Sequence, residues 1–162
     1  QGDDIGASQK TYYQDLDTRL GNFEPRTANI EGVSGIVQPG EKQAYDDALK
    51  AFQAGNLKKA DGDFSAFIKK YSDSPYSPLA LFWSGNSKYA NKDYSGAIAQ
   101  LQNLIKRYPS HPRIPSAMLT LGNAQLESGN KTAAKKTFSE IASKYPDTEA
   151  AKDAQKLLTA IK

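Results

Sequence analysis

From residue 41 onward, apolar side chains return at spacings of three and four, the period of an amphipathic helix, in blocks of roughly fifteen residues separated by polar turns. The blocks repeat. Gly55-Asn56-Leu57, Lys92-Asp93-Tyr94 and Gly129-Asn130-Lys131 stand 37 residues apart, and the same step carries Ala60 to Ala97 to Ala134, Phe64 to Leu101 to Phe138, Phe67 to Leu104 to Ile141, and Tyr71 to Tyr108 to Tyr145. A fixed period of this length marks an array of supersecondary units, each completing its core against its neighbours.

Within one unit, Phe82, Gly85 and Tyr89 form the stripe of a first helix, and Ala97, Leu101, Leu104 and Ile105 that of a second. Asn56, Asp93 and Asn130 precede the second helices, where a short polar side chain accepts a bond from an orphan backbone N–H. Gly55 and Gly129 suit the left-handed end of the first helix. Small residues at Gly85, Gly122, Ala60, Ala97 and Ala134 let paired helices approach closely, and the prolines after Tyr108 and Tyr145 stop the second helix. Ser77-Pro78 reads as a cap followed by proline at the first helical position. After Asp147-Thr148 a last helix carries Ala151, Ala154, Leu157, Leu158 and Ile161, with no partner, and reads as a cap on the open end of the array.

These residues resemble the tetratricopeptide repeat, a helix–turn–helix unit of about 34 residues. The extra three residues of the 37-residue step fit best in the connections 72–77 and 110–115. Copy one has Ala48 for the glycine and Ser72 for the proline, so it matches least well. The expected fold is an all-α, tetratricopeptide-like right-handed superhelix of three helix pairs (41–76, 77–113, 114–147) plus a C-terminal capping helix (148–162). In such arrays the first helices line a concave groove. The resemblance implies peptide-facing positions three before, one after and four after the first-helix glycine. By the 37-residue step these are Tyr45, Leu49 and Phe52; Phe82, Asn86 and Tyr89; Leu119, Asn123 and Leu126.

Residues 1–40 differ in character. Tyr13, Leu16, Leu20 and Phe23 are spaced three or four apart, an a/d seam of about two heptads, so 1–23 reads as the end of an N-terminal coiled coil. Two heptads alone are marginal in water, and a monomer is expected. Residues 24–40, with Pro25, Gly32, Gly35, Pro39 and Gly40, read as a flexible linker whose Ile30, Val33, Ile36 and Val37 could dock somewhere.

Charge divides along the same line. Residues 1–40 hold three basic and six acidic residues (−3), and residues 41–162 hold eighteen and twelve (+6), giving the overall +3. Lys58, Lys59, Lys69, Lys70, Lys106, Lys131, Lys135 and Lys136 fall on polar faces of second helices, the pattern of a solvated outer surface. A nucleic-acid module would need a denser patch with aromatics. No run approaches the roughly eighteen apolar residues of a membrane span. No charged start followed by an apolar core marks a signal peptide, which a mature secreted chain would lack as well.

Candidate chemistry is sparse. The chain has no cysteine and one histidine. That histidine, His111, occupies a loop position held by Ser74 and Thr148 in the other copies, which suggests solvent contact. With no second His, Cys or carboxylate cluster beside it, the sequence offers no catalytic pair, metal cage or cofactor site. Asp46-Asp47 and Asp61/Asp63 are flanked by lysines and read as ordinary ion pairs.

The order of coiled coil, Gly/Pro-rich segment and three repeats narrows the family. The stretch Gln9-Lys-Thr-Tyr-Tyr-Gln-Asp-Leu-Asp-Thr-Arg-Leu20 resembles the end of the coiled coil in the periplasmic YbgF/CpoB family. Phe82-Trp-Ser-Gly85, Leu104-Ile-Lys-Arg-Tyr-Pro109 and Ser143-Lys-Tyr-Pro-Asp-Thr148 resemble its repeats. Outer-membrane lipoproteins that assemble β-barrels share such repeats, usually more of them, with a lipidated cysteine. The family resemblance implies a non-catalytic adaptor of the Tol–Pal system in the periplasm. It would bind TolA and a bifunctional peptidoglycan synthase, trimerise through a longer coiled coil, and link envelope constriction to wall synthesis in cell division. A structural coiled-coil oligomeriser, or a scaffold of an outer-membrane assembly complex, is the alternative.

Overall fold

The computed structural model describes residues 24–162, so the coiled-coil expectation for 1–23 lies outside the described residues. A β-hairpin, β1 (Arg26–Ile30) and β2 (Val33–Val37), precedes seven helices: α1 (Glu41–Gln53), α2 (Leu57–Lys70), α3 (Ser77–Ala90), α4 (Tyr94–Arg107), α5 (Ile114–Glu127), α6 (Lys131–Lys144) and α7 (Glu149–Ala160). Each helix packs on the next. The odd-numbered helices α1, α3, α5 and α7 also touch one another in succession, which places them on the inside of a tetratricopeptide-like superhelix.

The caps explain the boundaries. Asn56, Asp93 and Asn130 accept hydrogen bonds from the backbone N–H of Lys59, Gly96 and Ala133 at 3.4, 3.1 and 3.1 Å. Before them, the αL position is taken by Gly55 (φ 81°), Lys92 (φ 63°) and Gly129 (φ 92°), so copy two forces a lysine into a conformation that glycine adopts freely. Ser77 is not the cap expected of it. It is the first residue of α3, and its hydroxyl donates to the carbonyls of Tyr71 and Ser72 at 3.0 and 3.2 Å, tying the helix start to the end of α2. Thr148 does cap α7, accepting from the Ala151 N–H at 3.1 Å.

The helix pairs close on glycine. A Cβ on Gly85 would lie 2.5 Å from Leu101, and one on Gly122 would lie 2.4 Å from Phe138. The close partner of Gly122 is thus Phe138, one turn beyond Ala134. In the first pair Ala48 stands at the glycine position, fully buried, in a cluster with Phe64, Phe67, Tyr45 and Tyr76. Burying such side chains contributes about 1.5–3 kcal/mol each. A second cluster runs from Leu81 and Phe82 through Leu101, Met118 and Phe138 to Ala154 of α7, so the last helix does cover the final pair.

Residues 24–40 are not a flexible linker. Ile30-Glu31-Gly32-Val33 turns through two residues of positive φ, 48° and 90°, as a two-residue hairpin loop requires. Asn29 braces the loop, accepting from the Gly32 N–H at 3.0 Å. Val33, Gly35 and Val37 point inward while Ser34 and Ile36 point out, so Ile36, one of the four residues expected to dock, stays 59% exposed. Ile30 and Val37 pack against the first helix pair, and Gly35 lies so close to Pro75 that a Cβ would approach to 2.9 Å. The seat is built by the lengthened connections 71–76 and 108–113, six residues each between helices.

Candidate functional site

Seven of the nine sequence-predicted groove residues keep partial exposure. Leu49 and Phe52 of α1, Asn86 and Tyr89 of α3, and Leu119, Asn123 and Leu126 of α5 are all half-buried. Tyr45 and Phe82 are not groove residues. They are 7% and 5% exposed and belong to the core. The reason is packing both within and between copies. Tyr45 stacks on Tyr76 at 4.9 Å and meets Phe64 edge-on at 5.9 Å, while Phe82 joins the cluster around Leu101 and Met118. Asn86 and Asn123, one repeat apart, make no hydrogen bond through their side chains to other described residues. Each amide carries a donor pair and an acceptor that no described residue uses.

Three further residues were not singled out as site residues. Trp83, the only tryptophan, donates its Nε1–H to the Tyr45 hydroxyl at 3.1 Å and packs on Phe52 and Phe82 at 5.0 and 4.9 Å. Arg113, just before α5, lays its guanidinium over Phe82 and Trp83 at 5.5 and 5.8 Å. It then grips the turn carboxylate of Glu31 with two bonds, Nη2 to Oε1 at 2.8 Å and Nε to Oε2 at 3.1 Å. His111 is buried, its side chain 1% exposed, and does not meet solvent as its loop position suggests. Its Nδ1 accepts from the Arg113 backbone N–H at 3.1 Å, just as the Ser74 hydroxyl accepts from the Tyr76 N–H one repeat earlier. A signal was present. Trp83 corresponds to Asp46 and Thr120, and Arg113 to Tyr76 and Ala150, so both stand where the three copies share no residue type.

Electrostatics follow the geometry. The Arg113 hydrogen bonds hold the Glu31 carboxyl below its ordinary 4.5, and burial holds the His111 imidazole below 6.5. Between the first two pairs, Asp61 takes the Lys88 ammonium at 3.2 Å and the Ser84 hydroxyl at 3.2 Å, and Ser84 accepts from Gln100 at 3.0 Å. Asp46 and Asp63 form i,i+4 pairs with Lys42 and Lys59 at 2.7 and 2.6 Å. Asp47 accepts instead from Gln43 at 2.8 Å. Among the described residues no group of three potential ligands could hold a metal, and no helix is long and apolar enough to cross a membrane. The eight lysines of the second helices are all exposed. A cleft of about 720 Å³ lies between the hairpin and α1, lined by Arg26, Val37, Lys42 and Tyr76 among others.

Comparison with known proteins agrees with this architecture. The cell division coordinator CpoB of Pseudomonas putida is 29% identical, in an alignment covering 50% of this chain and 40% of CpoB. The chain thus spans less than half the length of that relative. PcrH from Pseudomonas aeruginosa superposes with a TM-score of 0.65 at 18% identity, covering 78% of this chain and 94% of PcrH. The tetratricopeptide domain of Arabidopsis OM64 gives 0.64 at 15%, covering 75% and 95%. At these identities the two structures speak for the fold alone. The family model of the outer membrane lipoprotein YfiO matches residues 38–162, all seven helices with their caps, and the chain belongs to that family, with a repeat domain like that of CpoB.

Proposed function

We propose that this chain is a non-catalytic adaptor of the Tol–Pal system in the periplasm. It binds TolA and a bifunctional peptidoglycan synthase, and so coordinates outer-membrane constriction with septal wall synthesis during cell division. The observation that carries the reading is the inner face itself. Asn86 and Asn123 recur at the 37-residue step with their amides unpaired among the described residues, flanked by half-buried Tyr89, Leu119 and Leu126. Amides spaced along a groove bind the backbone of an extended peptide, and the apolar neighbours take its side chains. Likeness to a cell division coordinator supports the cellular setting, and membership in an outer membrane lipoprotein family supports the envelope.

The direct test is calorimetric titration of TolA, and separately of the synthase, into the whole chain and into a chain starting at residue 24. An adaptor that binds through its repeats retains full affinity without residues 1–23. A structural coiled-coil oligomeriser loses it.

A further inference from the structure

The Glu31–Arg113 contact has features that a simple structural ion pair does not need. Arg113 is presented as a planar fork, fixed from behind by the Phe82 and Trp83 rings and satisfied in front by both carboxylate oxygens. Beside it, His111 accepts at Nδ1, so the neutral ring carries its proton on Nε2. That nitrogen is buried and has no hydrogen-bond partner, and Glu31 Oε2 stands 3.9 Å from it. The pocket therefore offers a carboxylate three donors, and Glu31 uses two. Glu31 is also held at φ 48°, a conformation disfavoured for residues other than glycine, asparagine and aspartate, in an exposed turn. Its carboxylate comes from a residue ill suited to its backbone position and reaches the site incompletely.

We propose that Arg113 and His111 form a carboxylate-binding site that Glu31 occupies as an internal ligand, and that an aspartate or glutamate in an extended segment of a protein partner displaces the hairpin turn from it. A carboxylate not tethered to the hairpin can close the gap to His111 Nε2 while keeping both bonds to Arg113. Arg113 immediately precedes α5 and Asn123 lies ten residues further on, about 15 Å at the helical rise, a span of roughly four or five residues of extended chain. The inference deepens the adaptor reading on which it rests, by giving the partner segment an acidic residue at one end of the groove.

Trp83 lies under the Arg113 guanidinium and is the sole tryptophan, so its emission reports occupancy. The probe is the turn's own sequence as a free peptide, acetyl-Asn-Ile-Glu-Gly-Val-Ser-amide, with a second peptide carrying glutamine in place of glutamate. Both are titrated into the whole chain and into its Glu31→Ala and Glu31→Ala/Arg113→Ala forms, with circular dichroism confirming the helices. The Glu31→Ala chain should bind the glutamate peptide at least tenfold more tightly than the unaltered chain does. It should not bind the glutamine peptide, and the added Arg113→Ala should abolish binding. Equal binding of both peptides by Glu31→Ala, no gain over the unaltered chain, or no binding at all would overturn the proposal. Because the probe comes from the chain itself, the outcome is independent of whether TolA or the synthase binds.

Discussion

The helical array and the hairpin laid on it are held by different kinds of contact. In the array, one arrangement recurs by the 37-residue step: Gly85 and Gly122 on odd helices meet Leu101 and Phe138 on even ones with no room for a Cβ, and Ala48 shares a buried cluster with Phe64. Every such contact sits in a buried cluster shared with the next pair. The hairpin rests on Gly35 against Pro75, on Ile30 and Val37 against the first cluster, and on one partly exposed ion pair. Two strands alone are marginal in water. The difference implies that the array is globally cooperative along its length, while the hairpin opens locally.

Substitutions in the array should move the whole melting transition. Phe138→Ala should cost about 3–5 kcal/mol through the cavity it leaves against Gly122, and should strip amide-exchange protection from α5 to α7 first. Gly122→Leu attacks the same contact from the other side and overpacks it, at about 1–3 kcal/mol. Thermal melting that matched the unaltered chain in both variants would mean that the pair is not the closing contact.

The hairpin should respond on a smaller scale. Gly35→Val cannot be seated beside Pro75. It should accelerate amide exchange over 26–37 while shifting the melting temperature by no more than a degree or two. A drop as large as that of Gly122→Leu would erase the distinction between the two regions.

Acid offers a gentler probe. His111 is held below its ordinary 6.5 by burial, so the unfolded chain binds its proton more readily. The stability of the buried, neutral ring is therefore complete above 6.5 and declines as pH falls below it. Glu31 is held below 4.5 by its Arg113 bonds, so its contribution is complete above 4.5 and fades at lower pH. Trp83 emission should report loosening of the turn in two steps as pH falls, with the helical circular dichroism unchanged through the first. A single cooperative loss of both signals would join hairpin and array into one unit.

This division also explains what could be read from the residues alone. A period repeated three times announces itself through Ala60, Ala97 and Ala134 or Tyr71, Tyr108 and Tyr145, because the same packing problem is solved the same way each time. The hairpin occurs once. Its alternation is muted, because an inward position is Gly35 and an outward one is Ile36, so residues 24–40 resemble a linker in composition. The turn signal was Glu31-Gly32, weaker than Asn-Gly because glutamate is an uncommon choice at positive φ. Of the positions assigned to a groove, Asn86 and Asn123 stay half-buried with their amides unpaired among the described residues. Tyr45 and Phe82 are instead enclosed in the core, where residues of their own copy and of the next, Trp83 beside the one and Met118 beside the other, close over the ring. The lengthened connections were visible as a period of 37, but their purpose, seating the hairpin, depends on contacts as distant as Glu31 with Arg113.

The central claim is that the inner face of the array binds an extended partner through the amides of Asn86 and Asn123. It is tested most directly by titrating TolA calorimetrically into Asn86→Ala/Asn123→Ala, with a thermal melt of the same sample. The account predicts a loss of about 1–3 kcal/mol in binding, the worth of hydrogen bonds removed at both positions, with the melting temperature unchanged, because neither amide bonds another described residue. Unchanged affinity in a fully folded double variant would contradict it and move the binding surface to the lysine-rich outer face.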